Sequence, residues 1–451
     1  MSKEIYTERG KRMNTSDILL VVFLVSYVIM IITLIKGYNP SLVLLATGIL
    51  WAVMGGMNLM GVFNDLISAQ FTNQAVSFMT IIFGAWFAQV MIKTGIVKTI
   101  IRTAVELGGD NPKILISIIM VVVSVMFTSL YSIGPVIAVG VIVLPVMISL
   151  GIPSAVSIVA YGLSVALGQL LNVSQYTVMR GLLSYITDIP ETMEYPWMPY
   201  AFIAFAAGLI VNIIGILIMY DLSMKKKKIK KVKKVKSWAV KVSDSDEVTF
   251  VPWYVCIATL VPVVLIMAFK INTFAAFIIG ILYAICTAKI TYRKIRIFPM
   301  ISKSFKTGAG ESAGMIMYMA CAYTMASGAS AIRPVLQETL GGVLPVTALG
   351  LTIFVIILTP LFMYRGPLAL AGAGAAIYAT IFAVGSVPAS YLWLLCFAGN
   401  SVYSGVDPTN STNVWTCSYA KVKPLEFIKT ALPVCWVYGI VILGILYYMH
   451  G

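Results

Sequence analysis

Apolar runs long enough to cross a lipid bilayer recur along almost the whole chain, at 17–36, 41–63, 73–92, 154–187, 197–221, 251–269, 271–289, 309–327, 389–416 and 425–448. A hydrocarbon core about 30 Å thick takes about 20 residues of helix. Inside it every backbone N–H and C=O needs an internal partner, so runs like these span as helices. A mean hydropathy of +0.94, with 60% hydrophobic and 11% charged residues, places the chain among polytopic membrane proteins. The expected fold is therefore an all-α polytopic membrane protein of about ten transmembrane helices. Two longer apolar regions, 113–150 and 343–384, carry a Gly-Pro interruption near their middles and are expected to be re-entrant hairpins.

Glycine and proline landmarks recur at nearly constant offset. Gly95 pairs with Gly328, Gly108-Gly109 with Gly341-Gly342, and Pro112 with Pro345, all 233 apart. Gly134-Pro135 pairs with Gly366-Pro367 at 232, and Gly168 with Gly399 at 231. SLYSIGPVIAVG stands against LFMYRGPLALAG, and ALGQLLNVSQYT against FAGNSVYSGVDPT. This pattern predicts an internal repeat. Residues 1–220 form the first copy: scaffold helices, an amphipathic arm at 95–108, the hairpin 113–150 and a broken helix at 154–187. Residues 221–250 are a linker, and 251–451 form the second copy, with an arm at 328–340, the hairpin 343–384 and a broken helix at 389–416. Five full crossings per copy make the two copies inverted.

The net charge of +15 is largely local: Lys225 to Lys236 holds nine lysines in twelve residues. Beside membrane helices such a loop marks the cytoplasmic side and suits anionic lipid head groups rather than nucleic acid. The basic segments 93–113, 225–241, 289–306 and 421–429 then share one face, and 181–196, with Asp188, Glu191 and Glu194, lies on the other. Lys3, Arg9, Lys11 and Arg12 run against this rule, because the order places both termini outside. The polar start before the first run shows no cleavable leader, so the expected location is the cell (inner) membrane. Six dispersed cysteines and the single histidine, His450, give no metal spacing and no His-based catalysis. No nucleotide loop, paired catalytic carboxylates or nucleophile motif is present, so no enzyme activity and no cofactor are expected.

Gly399 to Trp415, GNSVYSGVDPTNSTNVW, is rich in Gly, Ser, Thr and Asn although apolar runs flank it. Unwound backbone at such depth persists only against protein or around a polar cavity. Pro408, Gly399 and Gly405 are helix breakers, and Asp407 adds a charge, so the break is expected across Gly399 to Asn413, matched by Gly168 to Thr177 in the first copy. A broken helix leaves free N–H groups that favour anions and free C=O groups that favour cations.

The paired tips, Ser129 to Pro135 and Met363 to Gly372, together with the paired breaks, give the chain a resemblance to the ion transporter superfamily. That group includes divalent anion/sodium symporters, citrate-metal permeases and the membrane subunits of tripartite dicarboxylate transporters. The tips read Tyr-Ser-Ile-Gly-Pro and Tyr-Arg-Gly-Pro, not the Ser-Asn-Thr signature of the sodium-dicarboxylate branch. The resemblance implies an elevator mechanism, in which hairpins and broken helices slide against a scaffold of early helices. It also implies a homodimer, for which Met54-Gly55-Gly56-Met57 offers a contact.

Each copy is expected to build half a site. Substrate is expected at Ser132, Gly134, Gln169, Asn172, Arg365, Gly366, Asn400, Ser401, Thr409 and Asn410. A coupling ion, Na+ or H+, is expected at Ser129, Ser132, Asn172, Ser174, Ser404, Asp407 and Thr412. Arg365 has three readings: a bidentate handle for a substrate carboxylate, a structural partner of Asp407, or an inert exposed side chain. Its counterpart Ile133 is apolar, and a fixed cation there would replace one sodium ion. Asp407 is open to sodium, proton or Arg365, and Glu311, in GAGESAG, is a second proton carrier or an interfacial charge. The expected function is secondary active transport of a small organic anion, a carboxylate, with sodium or protons. The alternative is a cation/proton antiporter on the same scaffold, with Asp407 carrying the ion.

Overall fold

The structure, a computed structural model, describes residues 15–186, 197–226, 251–269, 271–291, 297–340, 342, 344–372, 374–384 and 387–451. Every regular element among them is helical. In chain order the main helices are α1 (Thr15–Ile35), α2 (Pro40–Met54), α3 (Ala75–Lys93), α4 (Ile96–Gly108), α5 (Pro112–Met126), α6 (Ile133–Ser149), α7 (Ser154–Gly168), α8 (Val173–Leu183) and α9 (Trp197–Lys226). After the basic linker come α10 (Val261–Phe269), α11 (Thr273–Thr291), α12 (Ile297–Leu340), α13 (Ala348–Ile357), α14 (Gly374–Val384), α15 (Ala389–Val406), α16 (Ser411–Ala420) and α17 (Pro424–His450).

Among the described residues, six helices are long and apolar enough to cross a membrane: Ile18–Ile35, Ala75–Lys93, Ser154–Leu171, Trp197–Lys225, Ile297–Glu338 and Pro424–His450. A seventh candidate is the pair Ala348–Ile357 and Thr359–Arg365, bent by 65°, a geometry suited to a broken span or a re-entrant loop. The chain is a multi-span helical membrane protein. Its apolar outer surface has the same meaning: Val25, Val28 and Ile29 on α1 are about half exposed, as are Ile203, Ile210 and Ile214 on α9. Side chains of that kind have no reason to face water.

Six or seven candidate spans among the described residues are fewer than the expected ten, in part because apolar runs are cut. The run 41–63 ends as helix at Met54, where Gly55 and the left-handed Gly56 (φ 91°) turn the chain into a short segment with a π-helical stretch at Val62–Ser68. The run 251–269 is interrupted by a 3₁₀ turn at Ile257–Thr259. α5 and α6, of 15 and 17 residues, rise about 22 and 26 Å. Neither reaches across a hydrocarbon core of about 30 Å.

The second arm differs from expectation. In the first half the chain breaks after α3 at Gly95, which adopts φ 81°, and α4 follows as a separate amphipathic helix. Its counterpart 328–340 is the continuous end of α12, 44 residues and about 66 Å long. Gly328 stays helical because α2 crosses there: the backbone of Gly48 fills the space a side chain at 328 would need. Gly55 likewise packs on Ala331, so this part of the expected dimer contact is made within the chain.

α7 and α15 are buried on nearly every side and form the centre of the molecule. An aromatic stack of Tyr176, Trp197, Trp393 and Phe397, with ring centroids 4.4–5.8 Å apart, locks α9 and α15 together on one side. The Lys113–Asp221 pair (2.8 Å) and the Val251 N–H donating to Thr99 Oγ1 (3.1 Å) hold α4 and the start of α5 beside both ends of the basic linker. This places the segment 93–113 at the linker's end of the molecule. The linker itself from 227 to 250, the acidic residues of 187–196 and the N-terminal basic residues lie outside the described residues.

Candidate functional site

The two chain reversals are strained at matching positions. In the first, Ser132 has φ 89°; in the second, Tyr364 and Arg365 have φ 55° and 57°. Ser132 and Tyr364 are 232 apart, the same offset as the Gly-Pro pairs that follow them. Non-glycine residues held at positive φ cost free energy and persist where the surroundings over-determine them.

The surroundings here are the helix breaks. Asn172, between α7 and α8, donates from Nδ2 to the carbonyls of Phe127 (3.0 Å) and Leu130 (3.1 Å), while its Oδ1 accepts from the N–H groups of Ser174 and Gln175. One amide thus staples the first reversal and caps α8. Asp407, between α15 and α16, staples the second reversal with opposite polarity. Its Oδ1 accepts from Tyr364 N (2.8 Å) and Thr409 N (3.0 Å), and Oδ2 accepts from Thr409 Oγ1 (2.6 Å). Asn413 secures the break from below, donating to the carbonyls of Ser404 and Asp407. Asn410 caps α16 through Thr412 N.

The second break is therefore shorter than expected. It begins at Asp407, because Gly399 and Gly405 remain helical within α15. There they act as small residues rather than breakers: Gly399 lies under the ring of Phe362, and Gly405 lies against Leu163 and Cys435.

Between the reversals, the breaks and α12 lies a cavity of about 300 Å³. Of the expected site residues, Ser132 and Gln169 line it from the first half, and Arg365, Asn400, Ser404, Thr409, Asn410 and Thr412 from the second. The others take different places. Ser401 bonds Tyr438 (2.6 Å) and the Ala166 carbonyl, holding α15 on α7 and α17. Gly366 closes the second reversal by donating to the Met363 carbonyl. Gly134 lies beneath the carboxylate of Glu311, which occupies the space a side chain there would need. Ser129 and Asn172 border a separate cleft with Pro262 and Phe277 that leaves no room for a water molecule. Ser129 and Ser174 are buried, and their hydroxyls have no hydrogen-bond partner among the described residues.

Arg365 is 7% exposed and stands on the cavity wall. Its Nε is 3.9 Å from Asp407 Oδ2, Nη2 reaches the Thr409 carbonyl at 3.5 Å, and Nη1 donates to the Tyr318 hydroxyl. The guanidinium carbon lies 4.5 Å from the centroid of the Tyr318 ring and 5.3 Å from that of Tyr403. Tyr318 also donates to the Ala371 carbonyl (2.6 Å). A cation between aromatic faces, with one carboxylate behind it, is held in place and partly neutralised. The inert exposed reading of Arg365 does not agree with this burial.

No protein-family model matches the chain, and no curated protein does. Sequence reasoning missed Tyr318, Tyr403 and Gln175 as lining residues, and it placed Glu311 without a neighbour. Glu311 lines the cavity and accepts from Gln89 Nε2 at 2.7 Å. Tyr403 lies within the polar stretch that marked the second break, which was a usable signal. Nothing in the uninterrupted apolar run around Tyr318 marks it.

Proposed function

We propose that this multi-span membrane protein is a secondary active transporter of a small organic anion, a carboxylate, coupled to sodium ions or protons. The observation that carries the reading is Arg365: a buried guanidinium on the wall of a polar cavity of about 300 Å³, to which both halves of the chain contribute. A buried cation inside a membrane protein is costly without a function or partner. Asp407 gives it a partner behind, and the planar fork suits a carboxylate in front.

The paired positive-φ residues, the two stapled breaks and the sub-spanning hairpin arms support the two-repeat reading, with copies at 1–220 and 251–451 and re-entrant hairpins between them. They also favour the elevator mechanism implied by the resemblance to the ion transporter superfamily. A homodimer in the cell (inner) membrane belongs to the same reading. Asp407 as carrier of an exchanged cation fits less well, because both of its oxygens already accept hydrogen bonds.

The test is uptake of labelled mono-, di- and tricarboxylates into proteoliposomes under separate sodium and proton gradients, for the wild type and Arg365→Ala. Gradient-driven uptake of one acid that is lost in the variant supports the reading. No uptake of any acid, with sodium-dependent proton movement requiring Asp407, replaces it with the antiporter.

A further inference from the structure

The charged side chains lining the cavity, among the described residues, are Arg365 and Glu311. Arg365 comes from the second reversal, and Glu311 lies on α12 beside Gly134 of the first, so the two charges stand at separate walls. Tyr318, which bonds Arg365, is seven residues from Glu311 on the same helix, a rise of about 10.5 Å. That spacing is on the order of the length of a short carbon chain.

We infer that Glu311 is a specificity-determining residue that restricts the site to monocarboxylates bearing hydroxyl groups at the end remote from the carboxylate. This rests on the carboxylate reading of Arg365. One guanidinium binds one carboxylate. A second carboxylate in a cavity of this size faces Glu311, and two like charges at close range repel. Arg365 is taken up by the first carboxylate, and no second cation stands among the described lining residues to offset that repulsion.

A hydroxyl at the same end meets a favourable partner instead. Gln89 donates to Glu311 Oε2, which leaves Oε1 to accept from a ligand. The remaining polar lining is neutral amide and hydroxyl: Gln169, Gln175, Asn400, Asn410 and Thr412. Such groups exchange hydrogen bonds with hydroxyls and leave a second carboxylate without a cation. Specificity here comes from a repulsive element as much as from an attractive one.

The experiment uses the purified full-length protein and two matched pairs of acids: threonate with tartrate, and gluconate with glucarate. Within each pair a terminal hydroxymethyl group is exchanged for a carboxylate on the same chain. Affinity is read by calorimetry or thermal shift. The expected result is that the monoacid of at least one pair binds the wild type at least about tenfold more tightly than its diacid. In Glu311→Gln the diacid gains until the ratio is below about threefold, while Glu311→Asp keeps the discrimination. Diacids binding the wild type as tightly as monoacids, with both lost in Arg365→Ala, overturn the inference and leave the carboxylate reading standing. No binding of either class to the wild type overturns the carboxylate reading and the inference with it. A ratio unchanged in Glu311→Gln assigns the selectivity elsewhere and removes Glu311 from it. Should Glu311→Gln not fold, the wild-type ratio within each pair still decides whether the site rejects a second carboxylate.

Discussion

Glu311 and Tyr318, two turns apart on α12, each meet a different chain reversal. The Glu311 carboxylate fills the space over Gly134 in the first. The Tyr318 hydroxyl accepts from Arg365 and donates to the Ala371 carbonyl in the second. One helix is thus the common wall of both reversals. The cavity lies between α12 and these two reversals.

Tyr318→Phe removes the hydroxyl and leaves Arg365 Nη1 and the Ala371 carbonyl without that partner. A hydrogen bond to a charged group is worth about 1.5–3 kcal/mol. Carboxylate affinity is expected to fall by about 10- to 100-fold, with the aromatic contact to the guanidinium retained. Titration of a bound acid against wild type and variant measures this. An unchanged affinity means that Asp407 alone orients Arg365.

Asp407→Ala leaves the buried Arg365 guanidinium without an anion and Tyr364 N without an acceptor. Breaking a buried pair from one side costs about 3–5 kcal/mol. The double variant Arg365→Ala, Asp407→Ala is expected to be more stable than Asp407→Ala, because the orphaned charge is gone. Unfolding of the single and double variants in a common detergent gives the coupling directly. Purely additive effects would show that the 3.9 Å approach carries no interaction.

Which parts of this site a reader can extract from the residues depends on whether the signal is local. Pro408, Asp407, Asn410 and Asn172 announce the two breaks, since a cap or an imino acid acts on its own stretch of backbone. Arg365 is legible because a charge is rare in such a run. Gly399 and Gly405 mislead, because a glycine marks either a bend or a close approach, and only the neighbours, Phe362 and Leu163, decide between them. The same ambiguity separates Gly95, which turns the chain, from Gly328, which admits α2. Tyr318 is silent in the sequence, since its role depends on where the second reversal packs.

Asn172 separates two roles for the first break. As a staple it gives two hydrogen bonds to the reversal and caps α8. Asn172→Ala is then expected to lower stability by about 2–3 kcal/mol while leaving the sodium dependence of any transport unchanged. A shift in the sodium concentration needed for half-maximal uptake, at equal stability, would instead make this break an ion site.

Gly134→Ala places a methyl group where the Glu311 carboxylate lies. Either the reversal or α12 has to move, and overpacking of this kind costs about 1–3 kcal/mol. Shortening the opposing side chain makes room, so Gly134→Ala combined with Glu311→Ala is expected to recover the stability that Gly134→Ala loses. Thermal unfolding of the two single variants and the double variant reads the compensation. A Gly134→Ala protein as stable as the wild type would mean that the Glu311 carboxylate swings away freely. The wall of the cavity would then be built by Tyr318 and Arg365 without it.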